Sequence, residues 1–154
     1  PNYMRKINIF LSIFGIIIFL SSCGYSPIYS SSKLSLKINE IIYQKNVLNN
    51  QIARSLTLFS NPDSYNIYNI KFDTKTERRI VSKDSKGTTE VYEIKIVLSL
   101  NIFNDEKDHS TIFTDVMKYR NNENKFELKK YEKEIEKQIT NDLIEKVLVY
   151  FSEL

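Results

Sequence analysis

Tyr92-Glu93-Ile94-Lys95-Ile96-Val97-Leu98-Ser99-Leu100-Asn101-Ile102 decides the fold. Apolar side chains hold every even position from Tyr92 to Ile102, and Glu93, Lys95, Ser99 and Asn101 hold four of the odd ones. A helix would scatter the even set around its circumference. A strand places the whole set on one face and the polar residues on the other. The stretch therefore predicts a long strand with one buried and one open face, and its neighbours supply what covers it.

Upstream, Ser82-Lys83-Asp84-Ser85-Lys86-Gly87 is a polar turn. Before it, Tyr68, Ile70 and Phe72 alternate in an extended segment that can continue through Thr74 to Val81. Downstream, Asn104 to Ser110 reads as a second polar turn, and Thr111 to Arg120 as a last strand with neither face cleanly apolar. Neighbouring strands joined by short turns predict an antiparallel meander.

Two helices flank these strands. Leu48, Ile52, Leu56 and Phe59 recur at four, four and three, which is one helical stripe; Gln51, Arg54 and Ser55 lie off it. Asn46 is the expected N-cap, and Asn61-Pro62-Asp63 stops the helix because proline cannot continue it. After the break at Asn121 to Asn124, a long helix is predicted over about Phe126 to Phe151. Its stripe is Leu128, Tyr131, Ile135, Ile139, Leu143, Val147 and Phe151. Glu132, Glu136, Lys129, Lys133 and Lys137 occupy the other side at spacings that allow i,i+4 pairs. Nearest the start, Leu34, Leu36 and Ile38 alternate with polar residues and predict a short strand, with Ile41 to Tyr43 as its extension.

The order is β-α-β-β-β-α. Two amphipathic helices require one greasy surface, so the expected fold is α+β: a two-layer sandwich with a four-stranded, mostly antiparallel sheet and both helices on one face. The domain expected to carry it runs over residues 33–154.

Residues 1–32 read differently. Arg5 and Lys6 precede an apolar run, Ile7 to Leu20, broken only by Asn8, Ser12 and Gly15. As a helix it spans about 21 Å, short of the roughly 30 Å hydrocarbon core. Leu20-Ser21-Ser22 then leads to Cys23, the only cysteine. A basic n-region, a short apolar h-region and small residues before a cysteine are the pattern of a bacterial lipoprotein signal. The expectation is a signal peptide over 1–22, with translation starting at Met4. Cleavage before Cys23 leaves the thiol and the new amine to carry acyl chains, palmitate among them. A tether over 23–32 follows. The bland alternative is an uncleaved anchor, but Ser21 to Pro27 is small, polar and turn-forming, which is poor material for the end of a span. Two or three acyl chains hold a protein on a membrane where one does so marginally.

Charge narrows the function. The chain holds 22 basic and 19 acidic residues; without Arg5 and Lys6 the remainder is nearly balanced. A nucleic-acid binder would keep a strong basic excess. His109, the only histidine, sits in a polar run with no second histidine to help it bind a metal. With Cys23 acylated, no thiol is left for catalysis or metal binding. No nucleophile–base pair and no glycine-rich phosphate loop occur, so an enzyme is not expected, nor a cofactor.

Cys23-Gly24-Tyr25-Ser26-Pro27-Ile28-Tyr29 resembles the Cys-Gly-Phe-Arg-Pro-Leu-Tyr start of the LPS-assembly lipoprotein LptE family in its alphaproteobacterial form. Ser26 stands where that group has arginine. Element order and length agree over the rest of the chain, as do Arg79-Ile80 late in the second strand and a last helix ending at Val149-Tyr150-Phe151. The resemblance implies a lipid-anchored protein on the periplasmic side of the outer membrane. It would plug the LptD β-barrel and assist lipopolysaccharide (LPS) transport and assembly at the cell surface. Gly24 lacks the aspartate that retains lipoproteins at the inner membrane.

If LPS is bound, the expected contacts are Arg78, Arg79, Lys75 and Lys83. Positive charge is concentrated on that strand and turn, and guanidinium groups suit phosphate. Arg78 and Arg79 are chain neighbours on a strand, so they should face opposite sides. The bland reading is a solvated edge whose charges discourage aggregation. A rival from another class is a generic periplasmic lipoprotein that binds a small ligand or cell-wall material on its open sheet.

Overall fold

The computed structural model describes residues 33–154; the expected signal peptide and tether, with Cys23 and the Cys23–Tyr29 motif, lie outside the described residues. The long strand is present as β3, Thr89–Phe103. Ile94, Ile96, Leu98, Leu100 and Ile102 are all buried, whereas Val97 is half-buried and Ser99 exposed. Around it lie β1 (Lys37–Tyr43), α1 (Val47–Phe59), β2 (Ile67–Lys83), β4 (Asp108–Arg120) and α2 (Lys125–Ser152). The architecture is the α+β order β-α-β-β-β-α, with one four-stranded sheet in the order β1-β2-β3-β4.

Three strands form the antiparallel meander. Phe72 lies opposite Leu100 and Thr76 opposite Ile96 in the β2–β3 pair; Leu98 lies opposite Phe113 in β3–β4. The β2–β3 turn closes with the Asp84 N–H donating to the Thr88 carbonyl at 2.8 Å. Gly87 takes φ +83° there, a conformation that L side chains rarely adopt. β1 pairs with β2 in parallel, Ile38 opposite Tyr68 and Tyr43 opposite Phe72. A parallel neighbour needs a crossover, and α1 is that crossover.

The first strand begins later than the alternation from Leu34 predicts. Leu34 and Leu36 are buried, but the Leu34 N–H donates to the Phe59 carbonyl, and the Leu36 carbonyl accepts from Asn61 N–H. These bonds tie the segment to the end of α1, and pairing with β2 starts only at Lys37. The last strand begins earlier than Thr111. Asn104 closes the turn tightly, its N–H donating to the Lys107 carbonyl and its Oδ1 accepting from the Glu106 and Lys107 amides. His109 is therefore a half-buried strand residue opposite Ile102, not a turn residue.

Both helices lie on one side of the sheet and share one core with the even face of β3, α1 beside β1 and β2 and α2 against β3 and β4. Asn46 caps α1, its side chain accepting from the Asn49 amide at 2.8 Å. The buried set of α1 is Asn49, Ile52, Ala53 and Leu56, with Leu48 and Phe59 only half-buried. The inward face is thus rotated by about one residue from the apolar stripe, because Asn49 is held by hydrogen bonds. In α2, capped by Asn124, the stripe from Leu128 to Phe151 is buried apart from Tyr131, which is 53% exposed. Gln51 donates to Asn141 at 2.7 Å and ties the two helices together.

Candidate ligand surface

The sheet has a helix-covered face and an open face, and the four cations singled out from sequence divide between them. Register places Arg78 opposite Ile94, on the helix side. Its Nε donates to Tyr119 Oη at 2.9 Å, and its Nη2 lies 2.8 Å from Glu132 Oε1 of α2. Tyr119 in turn donates to the same carboxylate oxygen at 2.6 Å. The guanidinium carbon sits 3.9 Å over the Tyr92 ring, a cation–π contact. Three strands and α2 therefore meet at one guanidinium. Burial, then the bond to Glu132, pushes the Tyr119 hydroxyl up to about 12. Burial also raises the Glu136 carboxyl one turn further along, helped by the charge of Glu132. Glu132 is taken by Arg78, and among the described residues no ion pair within 4.0 Å joins two residues of α2, so the expected i,i+4 pairs do not form.

Arg79 lies opposite Glu93 on the open face. Its Nε is 2.7 Å from Glu93 Oε1; the arginine side chain is 73% exposed and the glutamate side chain 4%. The bond to Glu93 raises the Arg79 guanidinium. Lys75 shares this face and pairs with Glu77 at 2.9 Å. That contact, with a further contribution from Lys95, holds Glu77 below the usual carboxylate range. Lys83 stands exposed at the end of β2 beside the turn. Lys75 and Arg79 are thus brought onto one surface, Arg78 is withdrawn from it, and Lys83 lies at its margin.

Two cations come from strands that sequence proximity did not connect. Lys118 is the β4 partner of Glu93, and Lys95 the β3 partner of Glu77. Only cross-strand register reveals them, since they are 16 or more residues from Arg79 in the chain. Lys75, Arg79, Lys95 and Lys118 face two carboxylates, Glu77 and Glu93. The arrangement can hold an extended polyanion against exposed guanidinium and ammonium groups. Further along the open face, Lys71, Asp73, Ser99, Asn101, Ser110 and Ile112 line an open depression of about 680 Å³.

Among the described residues no cluster of three or more His, Cys, Asp or Glu is placed to hold a metal, and no helix is long and apolar enough to cross a membrane.

No protein-family model matches the sequence, and neither does any curated protein. The fold, however, is shared with solved bacterial lipoproteins. Lipoprotein B from Nitrosomonas europaea superposes with a TM-score of 0.58 at 13% identity, over 77% of this chain and 85% of that one. A minor lipoprotein from Acinetobacter baumannii gives 0.54 at 14%, over 76% and 92%. The rare lipoprotein B from Shewanella oneidensis gives 0.53 at 14%, over 71% and 93%. The similarity is one of fold.

Proposed function

We propose that this chain is a lipid-anchored protein of the outer membrane that seats in a large β-barrel partner and assists LPS assembly at the cell surface. The observation that carries the reading is a conjunction. The described residues share their fold with several bacterial lipoproteins, and Cys23 closes a lipoprotein-type leader in the same chain. Neither half alone reaches so far, since a leader occurs on many folds and a fold serves many functions.

In this reading the domain works as a scaffold and not as a catalyst. Acyl chains on Cys23 hold it at the inner leaflet. The core beneath β3 makes a rigid body, and the open face offers its charged groups to an anionic lipid. Lys75 and Arg79, with Lys95 and Lys118, are the groups that face an LPS phosphate. Arg78 acts from behind, fixing the distal part of β2 against α2.

Affinity isolation of the full chain from detergent-solubilised outer membranes tests the reading. A large outer-membrane β-barrel should co-purify at near-equal amounts. Recovery of the lipidated chain free of any such barrel would overturn the proposal. It would then favour the second reading, a generic lipoprotein binding a small ligand, for which the open depression at Ser99, Asn101 and Ser110 is the specific support.

A further inference from the structure

β4 is an edge strand thirteen residues long, and its register with β3 contains no bulge. Long, regular edges with apolar side chains are templates for pairing with another chain. On its open face Ile112 is 68% and Val116 47% exposed.

The backbone direction follows from the two ends of the β3–β4 ladder. Asn104 N–H donates to the Lys107 carbonyl at one end, and Asn121 N–H to the Glu90 carbonyl at the other. Bonded and non-bonded pairs alternate in an antiparallel ladder. The odd residues of β4 therefore bond to β3, while Asp108, Ser110, Ile112, Thr114, Val116, Lys118 and Arg120 turn their N–H and C=O groups outward. These outward residues read as a self-complementary series about Thr114. Paired antiparallel with a second copy in that register, Thr114 meets Thr114, Ile112 meets Val116, Ser110 meets Lys118, and Asp108 meets Arg120. Apolar meets apolar, acid meets base, and every residue of the strand has a partner.

The middle of this edge is occupied in the single chain. Lys146 of α2 donates to the Thr114 carbonyl at 3.2 Å and to Asp115 Oδ2 at 3.1 Å. Asp115 Oδ1 accepts from the Val116 N–H at 2.9 Å. One ion pair thus covers an outward acceptor and an outward donor at the strand's centre.

We propose that β4 is the docking edge for a second copy of this chain, paired antiparallel about Thr114, and that the Lys146–Asp115 pair is the cap that competes with this pairing. The inference does not depend on the LPS reading. Lys146 is exposed and Asp115 half-buried, a setting in which such a pair contributes little to folding, so removing Lys146 frees the Thr114 carbonyl without unfolding the domain.

The test uses the full chain in density-matched detergent, followed by sedimentation equilibrium. Lys146→Ala should tighten dimerisation about tenfold or more, because the Thr114 carbonyl of each copy, two outward groups per dimer, loses its competitor. Adding Ile112→Lys to that variant should abolish the dimer while thermal unfolding by circular dichroism stays cooperative. With Cys23→Ser as background, Thr114→Cys should form an intermolecular disulfide, since the two sites face each other about 5 Å apart. Ser110→Cys alone should not, and a mixture of Ser110→Cys and Lys118→Cys chains should. A Lys146→Ala chain as monomeric as the parent, or crosslinking at Ser110→Cys as efficient as at Thr114→Cys, overturns the proposal and leaves the edge to a strand of a different protein.

Discussion

Asn49 offers the sharpest test of how the two layers are joined. It lies in α1, is fully buried, and uses both amide donors and its amide oxygen in hydrogen bonds. Nδ2 donates to the Gln44 carbonyl at 2.7 Å and to Asp73 Oδ1 at 2.8 Å, and Oδ1 accepts from Thr74 Oγ1 at 2.7 Å. β1 ends at Tyr43, opposite Phe72, so Asn49 takes over beside β2 where the parallel strand stops. Asn49→Ala removes two neutral hydrogen bonds, each contributing about 0.5–1.5 kcal/mol, and one to a carboxylate contributing about 1.5–3 kcal/mol. Gln44 and Asp73 are exposed and recover part of this from water, and alanine is the better helix former. The expected net loss is about 2–3 kcal/mol, a large share of the roughly 5–15 kcal/mol that stabilises a domain. Asn49→Asp should cost more at neutral pH, because it sets an acceptor against both the Gln44 carbonyl and the Asp73 carboxylate. The assay is urea unfolding followed by circular dichroism, with the slope checked for constancy. An Asn49→Asp chain as stable as the parent at pH 7 would refute the reasoning, because the amide donors would then be shown to carry no energy.

Further outcomes are expected, most of them from the geometry of the sheet and one from the leader. Ile96→Ala, at a fully buried site, should cost about 2–5 kcal/mol, and Val97→Ala, on the open face, about 1 kcal/mol or less in the same denaturation series; equal costs would contradict the face assignment. Tyr119 is raised to about 12 in the fold and titrates near 10 when unfolded. Its contribution is whole below about pH 10 and lost as pH rises to about 12; Tyr119→Phe should flatten that part of the stability–pH curve. Cys23→Ser should accumulate as an unprocessed precursor in the inner membrane on fractionation, and normal cleavage would contradict lipidation at that residue. On the proposed LPS reading, Arg79→Glu should weaken LPS binding in a low-salt titration, with the difference shrinking as salt screens the contact. Arg78→Glu, facing the other side, should act mainly by lowering the melting temperature.

The core was legible in the sequence because period-two and near-3.6-residue patterns are local. The even residues of Tyr92 to Ile102 and the stripe from Leu128 to Phe151 announce which way they face without reference to any partner. Caps are local too, and Asn46 could be read from its place before the first helical stripe. The candidate surface was legible only in part. Neighbours on a strand must diverge, so the separation of Arg78 from Arg79 follows from chain geometry alone. What each guanidinium then meets does not. Glu132 reaches Arg78 across 54 positions of chain, and Lys118 comes beside Glu93 only through the β3–β4 register. Likewise, nothing in the run from Leu34 to Ile38 says that its first residues bond to the end of α1 and not to β2, nor that Asn49 displaces Leu48 from the inward face of that helix. Alternation and capping are dictated by the residues within a turn or two, whereas register, ion pairing and the identity of a buried polar group's partner exist only once distant segments are packed together.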